Sequence, residues 1–316
     1  MTGFDIGGTK CSVSIGEEKD GKLIIKNKKV LKTDLAASPY AMIDRLVSAA
    51  LEMTEKTGPV GISCGGPLDP EKGIIMSPPN LPGWDNVTIV SYLKDKYGIT
   101  SALQNDANAC ALAEWRFGAG RGTKNMIFLT FGTGLGAGLI LDGRLYSGTN
   151  GMAGEAGHIR LAPDGPEGYG KRGSFEGFCS GGGIARLGKE RARAMLADGK
   201  KPSFCPEEKD LDDITAKSIA ECALKGFDDA AEIYALCGEK LGEGLAVLID
   251  LLNPEKIVIG SVFTRSEGLL RKYMEQAIKK ESLAISRSVC AVVKAELGEE
   301  LGDYAALSVA ADIGRK

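Results

Sequence analysis

Two short segments carry the residue types best suited to holding phosphate. The first, "FDIGGTKCSVSI", ends an apolar run at Ile6, turns through Gly7, Gly8 and Thr9, and resumes as an alternating apolar run from Cys11. The second, "MIFLTFGTGLGAGLIL", repeats that sentence with Gly132, Thr133 and Gly134 as the turn. A glycine turn between strands leaves backbone N–H groups free and puts no Cβ in the way of an approaching anion. Each turn also offers a threonine hydroxyl. The first adds Lys10 as a cation and Asp5 as a carboxylate able to hold Mg²⁺ through water. A tight hairpin with no ligand is the ordinary reading of one such turn; two matching turns could grip a polyphosphate from opposite sides. Walker loops and dinucleotide fingerprints are excluded, because both open a helix and space their glycines differently.

A third segment, "LQNDANACALAEWRFG", puts Asn105 and Asp106 between a short strand and a run of strong helix formers that stops at Gly118. Asn and Asp are favoured helix caps, so Asp106 reads first as a cap. Its chemical reading is a base for a sugar hydroxyl. A helix N-terminus favours the ionised carboxylate, which makes a weak base. That suffices in phosphoryl transfer, where orienting the nucleophile carries much of the work. A fourth segment, "GEAGHIRLAPDGPEGYGKRGSFEG", holds Glu155, the chain's only histidine (His158) and Glu176. It has the rhythm of a metal-binding knuckle and no cysteine.

The surrounding pattern alternates α and β. Asp20-Gly21 and Asp142-Gly143 signal hairpins after each phosphate-type turn. Ser38-Pro39 reads as the start of a helix running to about Lys56. "PVGISCGGPLD" reads as a strand entering a Gly-Pro loop, "EKLGEGLAVLIDLLNP" as an apolar helix, "KIVIGSV" and "CAVVKAEL" as strands, and "DYAALSVAADI" as a closing helix. Residues 199–213 read as a polar loop. Such alternation implies a mainly parallel sheet flanked by helices in each half.

Composition narrows the function classes. The chain has 316 residues, enough for two domains, and 43 glycines in discrete clusters rather than low-complexity tracts. A formal net charge of −3 argues against a nucleic-acid partner. No apolar run is long enough for a membrane span, and no secretory signal is visible, so a cytoplasmic location is expected. The eight cysteines are scattered without a CxxC pair, which points to reduced thiols.

"DIGGTK", "GGPLD", "SPPNLPGW", "NDANACALAE", "FGTGLGAGLILDG" and "GEAGH" occur in this order. Together they resemble the ROK sugar kinases (repressor, open reading frame, kinase) over nearly the whole chain. The resemblance implies an actin-like, RNase H-like duplicated α/β fold. Its smaller domain would span residues 1–118, with a C-terminal helix of about 303–316 packing back on it, and its larger domain residues 119–302. It further implies ATP in a cleft, a sugar between the domains, and closure that excludes water. Carried over by position, Asp106 is the catalytic base. Asp5, Gly7, Gly8, Thr9 and Lys10 form the first phosphate loop, Gly132, Thr133 and Gly134 the second, and Gly260 the adenosine side. Gly65, Gly66, Asn80, Asn105, Glu155, His158 and Glu176 face the sugar.

The chain departs from the family pattern twice. The family usually carries CxCGxxGCxE after its GExGH motif, and the cysteine positions here hold Glu167, Tyr169 and Ser174. One imidazole, one carboxylate and a phenol suit tetrahedral zinc poorly, so no zinc is expected. Tyr169 packing and Ser174 hydrogen bonds are expected to hold the loop instead, leaving His158 for the sugar. The second departure is Ser261, where the family usually has glycine. The expected activity is ATP- and Mg²⁺-dependent phosphorylation of a hexose, glucokinase-like, at O6, by a homodimer. N-acetylmannosamine, N-acetylglucosamine, allose or fructose as substrate, and a non-catalytic sugar sensor, are the alternatives. The family's repressors carry a helix-turn-helix before "DIGGTK"; with that motif starting at residue 5, a DNA-binding role is not expected. A chaperone-like ATPase on the same fold would lack the sugar residues.

Overall fold

The computed structural model describes residues 1–314. Its topology follows from the turns. β1 (Thr2–Ile6), β2 (Lys10–Lys19) and β3 (Lys22–Lys32) form an antiparallel meander. Two- and three-residue connections can join only antiparallel neighbours. Asp20 and Gly21 take φ of 53° and 70°, the mirror-image turn that matches strand twist. β4 (Val60–Cys64) then pairs parallel with β1, and β5 (Ser101–Asn105) parallel with β4. The sheet order is β3-β2-β1-β4-β5.

The second sheet repeats this plan. β6 (Met126–Phe131), β7 (Leu135–Leu141), β8 (Arg144–Tyr146), β9 (Lys256–Ile259) and β10 (Ala291–Lys294) lie in the order β8-β7-β6-β9-β10. Asp142 and Gly143, with φ of 51° and 71°, reproduce the first hairpin. Each sheet is therefore mixed rather than mainly parallel. The hairpin signals outweigh the α/β alternation, because a turn that short leaves no room for a crossover helix.

The helices are α1 (Pro39–Met53), α2 (Ile89–Tyr97), α3 (Asp106–Phe117), α4 (Phe175–Phe178), α5 (Gly181–Ala197), α6 (Ala216–Leu224), α7 (Asp228–Leu252), α8 (Val262–Glu281), α9 (Ala284–Arg287) and α10 (Leu301–Asp312). Ser38 caps α1 by accepting from the Ala41 N–H, with Pro39 in the first turn. The polar stretch 199–213 is irregular apart from a 3₁₀ segment, Glu208–Asp213. No helix among the described residues is long and apolar enough to cross a membrane.

The chain divides into two compact units. One comprises Met1–Phe128, Gly138–Ala153 and the segment from Glu296 onward; the other comprises Leu129–Ala137 and Gly154–Ala295. In the first, Phe4, Ile6, Val13 and Ile62 bury one sheet face against Met42, Ile43 and Leu46 of α1. Each such side chain contributes about 1.5–3 kcal/mol. α10 covers the opposite face. A Cβ on Gly3 would stand 2.9 Å from the Leu307 nitrogen, and one on Gly61 would strike the Ala306 carbonyl. Glycine lets the helix backbone lie directly on β1 and β4. The last two residues of the expected 303–316 helix lie outside the described residues.

Candidate active site

In the first unit, register brings the sequence motifs to one sheet end. Ile6 pairs with Cys64, and Cys64 with Asn105. The Gly7-Gly8-Thr9 turn, the Gly65-Gly66 loop and Asp106 therefore leave three adjacent strands at the same level. This is the carboxyl end of the parallel strands, where α/β sheets bind ligands. The Gly66–Pro67 peptide is cis. A Cβ on Gly8 would collide with the Asn80 carbonyl oxygen, so the first turn rests on the Asn80 loop. Gly65 faces the Asn80 carboxamide, and a Cβ on Gly66 would lie 3.2 Å from Asn105 Nδ2. Asp5, Gly7, Gly8, Gly65, Gly66, Asn80, Asn105 and Asp106 are thus neighbours, with Thr9 and Lys10 exposed at the rim.

The cap of α3 is Asn105, not Asp106. Asn105 Oδ1 accepts from the Ala107 N–H at 2.9 Å in extended backbone geometry, and Asp106 is the first helical residue. Asp106 Oδ1 also accepts from the Ala107 N–H, at 2.7 Å. Because Asn105 fills the capping position, the Asp106 side chain stays accessible to solvent. Surrounding protein still strips part of its hydration and raises its pKa above the ordinary carboxylate value.

Asp5 is half-buried on the sheet face under α10. Burial, then the nearby Asp303 and Asp106 carboxylates, raise its pKa to about 6. Asp303 is itself buried; Ser12 and Ser14 donate to its Oδ1 at 3.0 and 2.6 Å, and Lys28 pairs with Oδ2. Sequence reasoning missed this second layer. Its only sequence signal is the alternation that puts Ser12 and Ser14 on the Asp5 face. The Asp303 and Asp106 carboxylates, with Lys28 committed to Asp303, leave Asp5 in negatively charged surroundings.

In the second unit, the Gly132-Thr133-Gly134 turn closes with the Gly132 N–H donating to the Gly134 carbonyl at 3.1 Å. Glu176 Oε2 accepts from the next amide, Leu135, at 2.9 Å. A Cβ on Gly157 would lie 3.2 Å from Glu176 Cβ, which sets the Glu155–His158 segment beside Glu176. Glu155 and His158 are exposed and Glu176 half-buried. The start of α5 lies under the turn: Gly181 N–H donates to Gly132 O at 2.7 Å and Gly182 N–H to Thr133 O at 3.3 Å. The run "SGGG", with Ser180 as cap, was the available signal for that contact. Gly260 N–H donates to Leu129 O at 3.0 Å. Ser261 takes φ 53° and ψ −110°, a conformation that favours glycine, and its hydroxyl faces Gly132.

The segment in place of the knuckle is held by backbone. Residues 167–168 and 171–172 pair as a short hairpin. Leu161 and Ala162 N–H groups both donate to Gly173 O, and Gly173 N–H donates to Pro166 O at 3.1 Å. Gly173, at φ 68°, lies against the Ala162 carbonyl with no space for a side chain. Ser174 is fully buried, caps α4 through the Gly177 N–H and reaches Gly168 O, as expected. Tyr169 does not pack. It stands 77% exposed at the hairpin tip, at φ 45°, because the left-handed turn aims its side chain outward. Lys171 Nζ donates to the His158 carbonyl at 2.6 Å. Among the described residues no group of three or more His, Cys, Asp or Glu side chains is arranged to hold a metal ion.

The ROK family pattern matches residues 1–313. A glucokinase of Streptomyces coelicolor is 31% identical over 327 residues, covering 99% of this chain and 97% of the relative. The Escherichia coli DNA-binding transcriptional dual regulator NagC is 33% identical over 239 residues, covering 75% of this chain and 56% of the regulator. A solved ROK family glucokinase from Streptomyces griseus, in complex with glucose and AMPPNP, superposes with a TM-score of 0.76 at 29% identity, covering 100% of this chain and 99% of that one. The twice-repeated sheet is the actin-like α/β fold, and by sequence and by structure the chain belongs to the ROK family.

Proposed function

We propose that the protein is a sugar kinase that transfers the γ-phosphoryl group of ATP to a hexose, glucokinase-like, at the 6-hydroxyl. The observation that carries this reading is the common level of Ile6, Cys64 and Asn105, from which a phosphate-type turn, a glycine loop and an accessible aspartate all emerge. Asp106 orients the attacking hydroxyl and takes its proton; its raised pKa makes it a better base than an ordinary carboxylate. Backbone N–H groups of Gly7–Lys10 and Gly132–Gly134 bind the phosphates, with Gly260 on the adenosine side. Gly65, Gly66, Asn80, Asn105, Glu155, His158 and Glu176 bind sugar hydroxyls. His158 suits this role because neutral imidazole both donates and accepts. Mg²⁺, held through water at Asp5, would offset charge on the transferring phosphoryl group.

The second reading is a sugar sensor without turnover, favoured by the likeness to NagC. Coupled ADP release across glucose, fructose, allose and the N-acetylhexosamines separates the two. Turnover on one sugar, lost in Asp106→Ala, supports the kinase. Sugar binding with no ADP release from any of them supports the sensor.

A further inference from the structure

The strand face beside the first turn carries a like-charged pair. Lys10 of β2 stands directly opposite Lys32 of β3 in register. Opposite residues on antiparallel strands share a face, with Cβ atoms about 4.5–5.5 Å apart, and like charges there destabilise the sheet. Three of the four other lysines along β3 are answered: Lys26 pairs with Glu17, Lys28 with Asp303 and Lys29 with Glu52, while Lys22 stands opposite Lys19 at the far hairpin end, away from the glycine turn. Lys10 and Lys32 are both exposed; Lys10 lies near enough to Asp5 to act on its carboxylate, and no salt bridge within 4 Å joins either lysine to another of the described residues. The next residue straps β3 to the turn itself. Thr33 N–H donates to Thr9 O at 3.1 Å, and Thr33 Oγ1 donates to Gly7 O at 2.6 Å.

We propose that Lys32 is a second cation for the polyphosphate of ATP, forming with Lys10 a two-lysine clamp across the Gly7–Thr9 turn. The inference rests on the phosphoryl-transfer reading and adds a binding residue to it. An anion bridging the two ammonium groups converts their repulsion into shared attraction. Removing one lysine therefore acts with opposite signs on the free and the liganded protein. A lysine that only supported the strand would not separate the two.

The test uses full-length Lys32→Met, with Lys29→Met as control because Lys29 sits opposite Val13 and pairs with Glu52. Melting is followed without ligand and with a non-hydrolysable ATP analogue plus Mg²⁺, and KM is measured for ATP and for the sugar. Without ligand, Lys32→Met should melt about 1–3 °C above wild type. Its analogue-induced shift should shrink and its KM for ATP rise about five- to tenfold, with kcat and sugar KM within about twofold. Lys32→Arg should restore ATP binding, and Lys29→Met should bind as wild type. Wild-type ATP affinity in Lys32→Met, or an equal loss in Lys29→Met, overturns the clamp alone. Failure of the wild-type protein to bind ATP at all overturns the phosphoryl-transfer reading, and the clamp with it.

Discussion

The two glycine turns occupy equivalent places in two sheets of identical strand order, yet their surroundings differ in charge. Two residues before Gly7 stands Asp5; two residues before Gly132 stands Thr130. Thr130 serves only its own strands, accepting from Gly136 N–H at 2.9 Å. Burial, then the neighbouring Asp303 and Asp106 carboxylates, raise the pKa of Asp5 to about 6. The first turn also rests on backbone at Asn80, whereas the second meets the end of a flexible side chain, Glu176. The two bends share a backbone plan; a cluster of three aspartates stands by the first, and a single carboxylate, Glu176, by the second.

The largest test of that asymmetry is Asp106→Asn, which keeps the shape and removes the base. It should lower kcat about a thousandfold, while calorimetry shows sugar and nucleotide binding within a few fold of wild type. Replacing Asp5 by threonine makes the first strand resemble the second. It should cost about a hundredfold in kcat/KM, whereas Thr130→Ser should change little. Equal losses would erase the distinction between the turns.

The glycines give a smaller contrast. Gly8→Ala drives a methyl into the fixed Asn80 carbonyl and should cost about 1–3 kcal/mol of stability together with ATP affinity. Gly134→Ala sets a Cβ 2.6 Å from Glu176 Oε2, which can swing aside. Its melting temperature should barely move while the sugar KM rises. Similar melting losses in both would sink this contrast.

Acid linkage sharpens the comparison further. The folded value of Asp5, about 6, lies above the 3.8 of an unperturbed carboxyl. Folding is therefore favoured by this proton below 3.8, and that stability is lost as pH rises through about 6. Asp5→Asn should melt above wild type at about pH 8, with the gap closing as pH falls from about 6 to 3.8. The smallest effect belongs to Ser261→Gly. Relief of the φ 53° backbone should add about 1 kcal/mol, or roughly 2 °C.

The sequence made some of these features legible and hid others for physical reasons. Hairpins announced themselves because Asp-Gly at positive φ is a local requirement, as at Asp20-Gly21 and Asp142-Gly143. The cap at α3 was harder: Asn105 and Asp106 both qualify by type, and only backbone geometry separates them. Tyr169 looked like a packing residue until the left-handed turn aimed it at solvent. Strand alternation groups Ser12 and Ser14 with Asp5, but their link to Asp303 was hidden because it joins positions 275 or more residues apart, as does that of Lys28. Pairing at such separation follows from α10 lying on the first sheet, which no local pattern records.

Hydrogen–deuterium exchange with and without MgADP tests the central claim most directly. If both bends hold one nucleotide's phosphates, amides of Gly8–Lys10 and of Gly132–Gly134 slow together, with the same nucleotide dependence. Protection confined to one bend, or absent from both at saturating nucleotide, contradicts it.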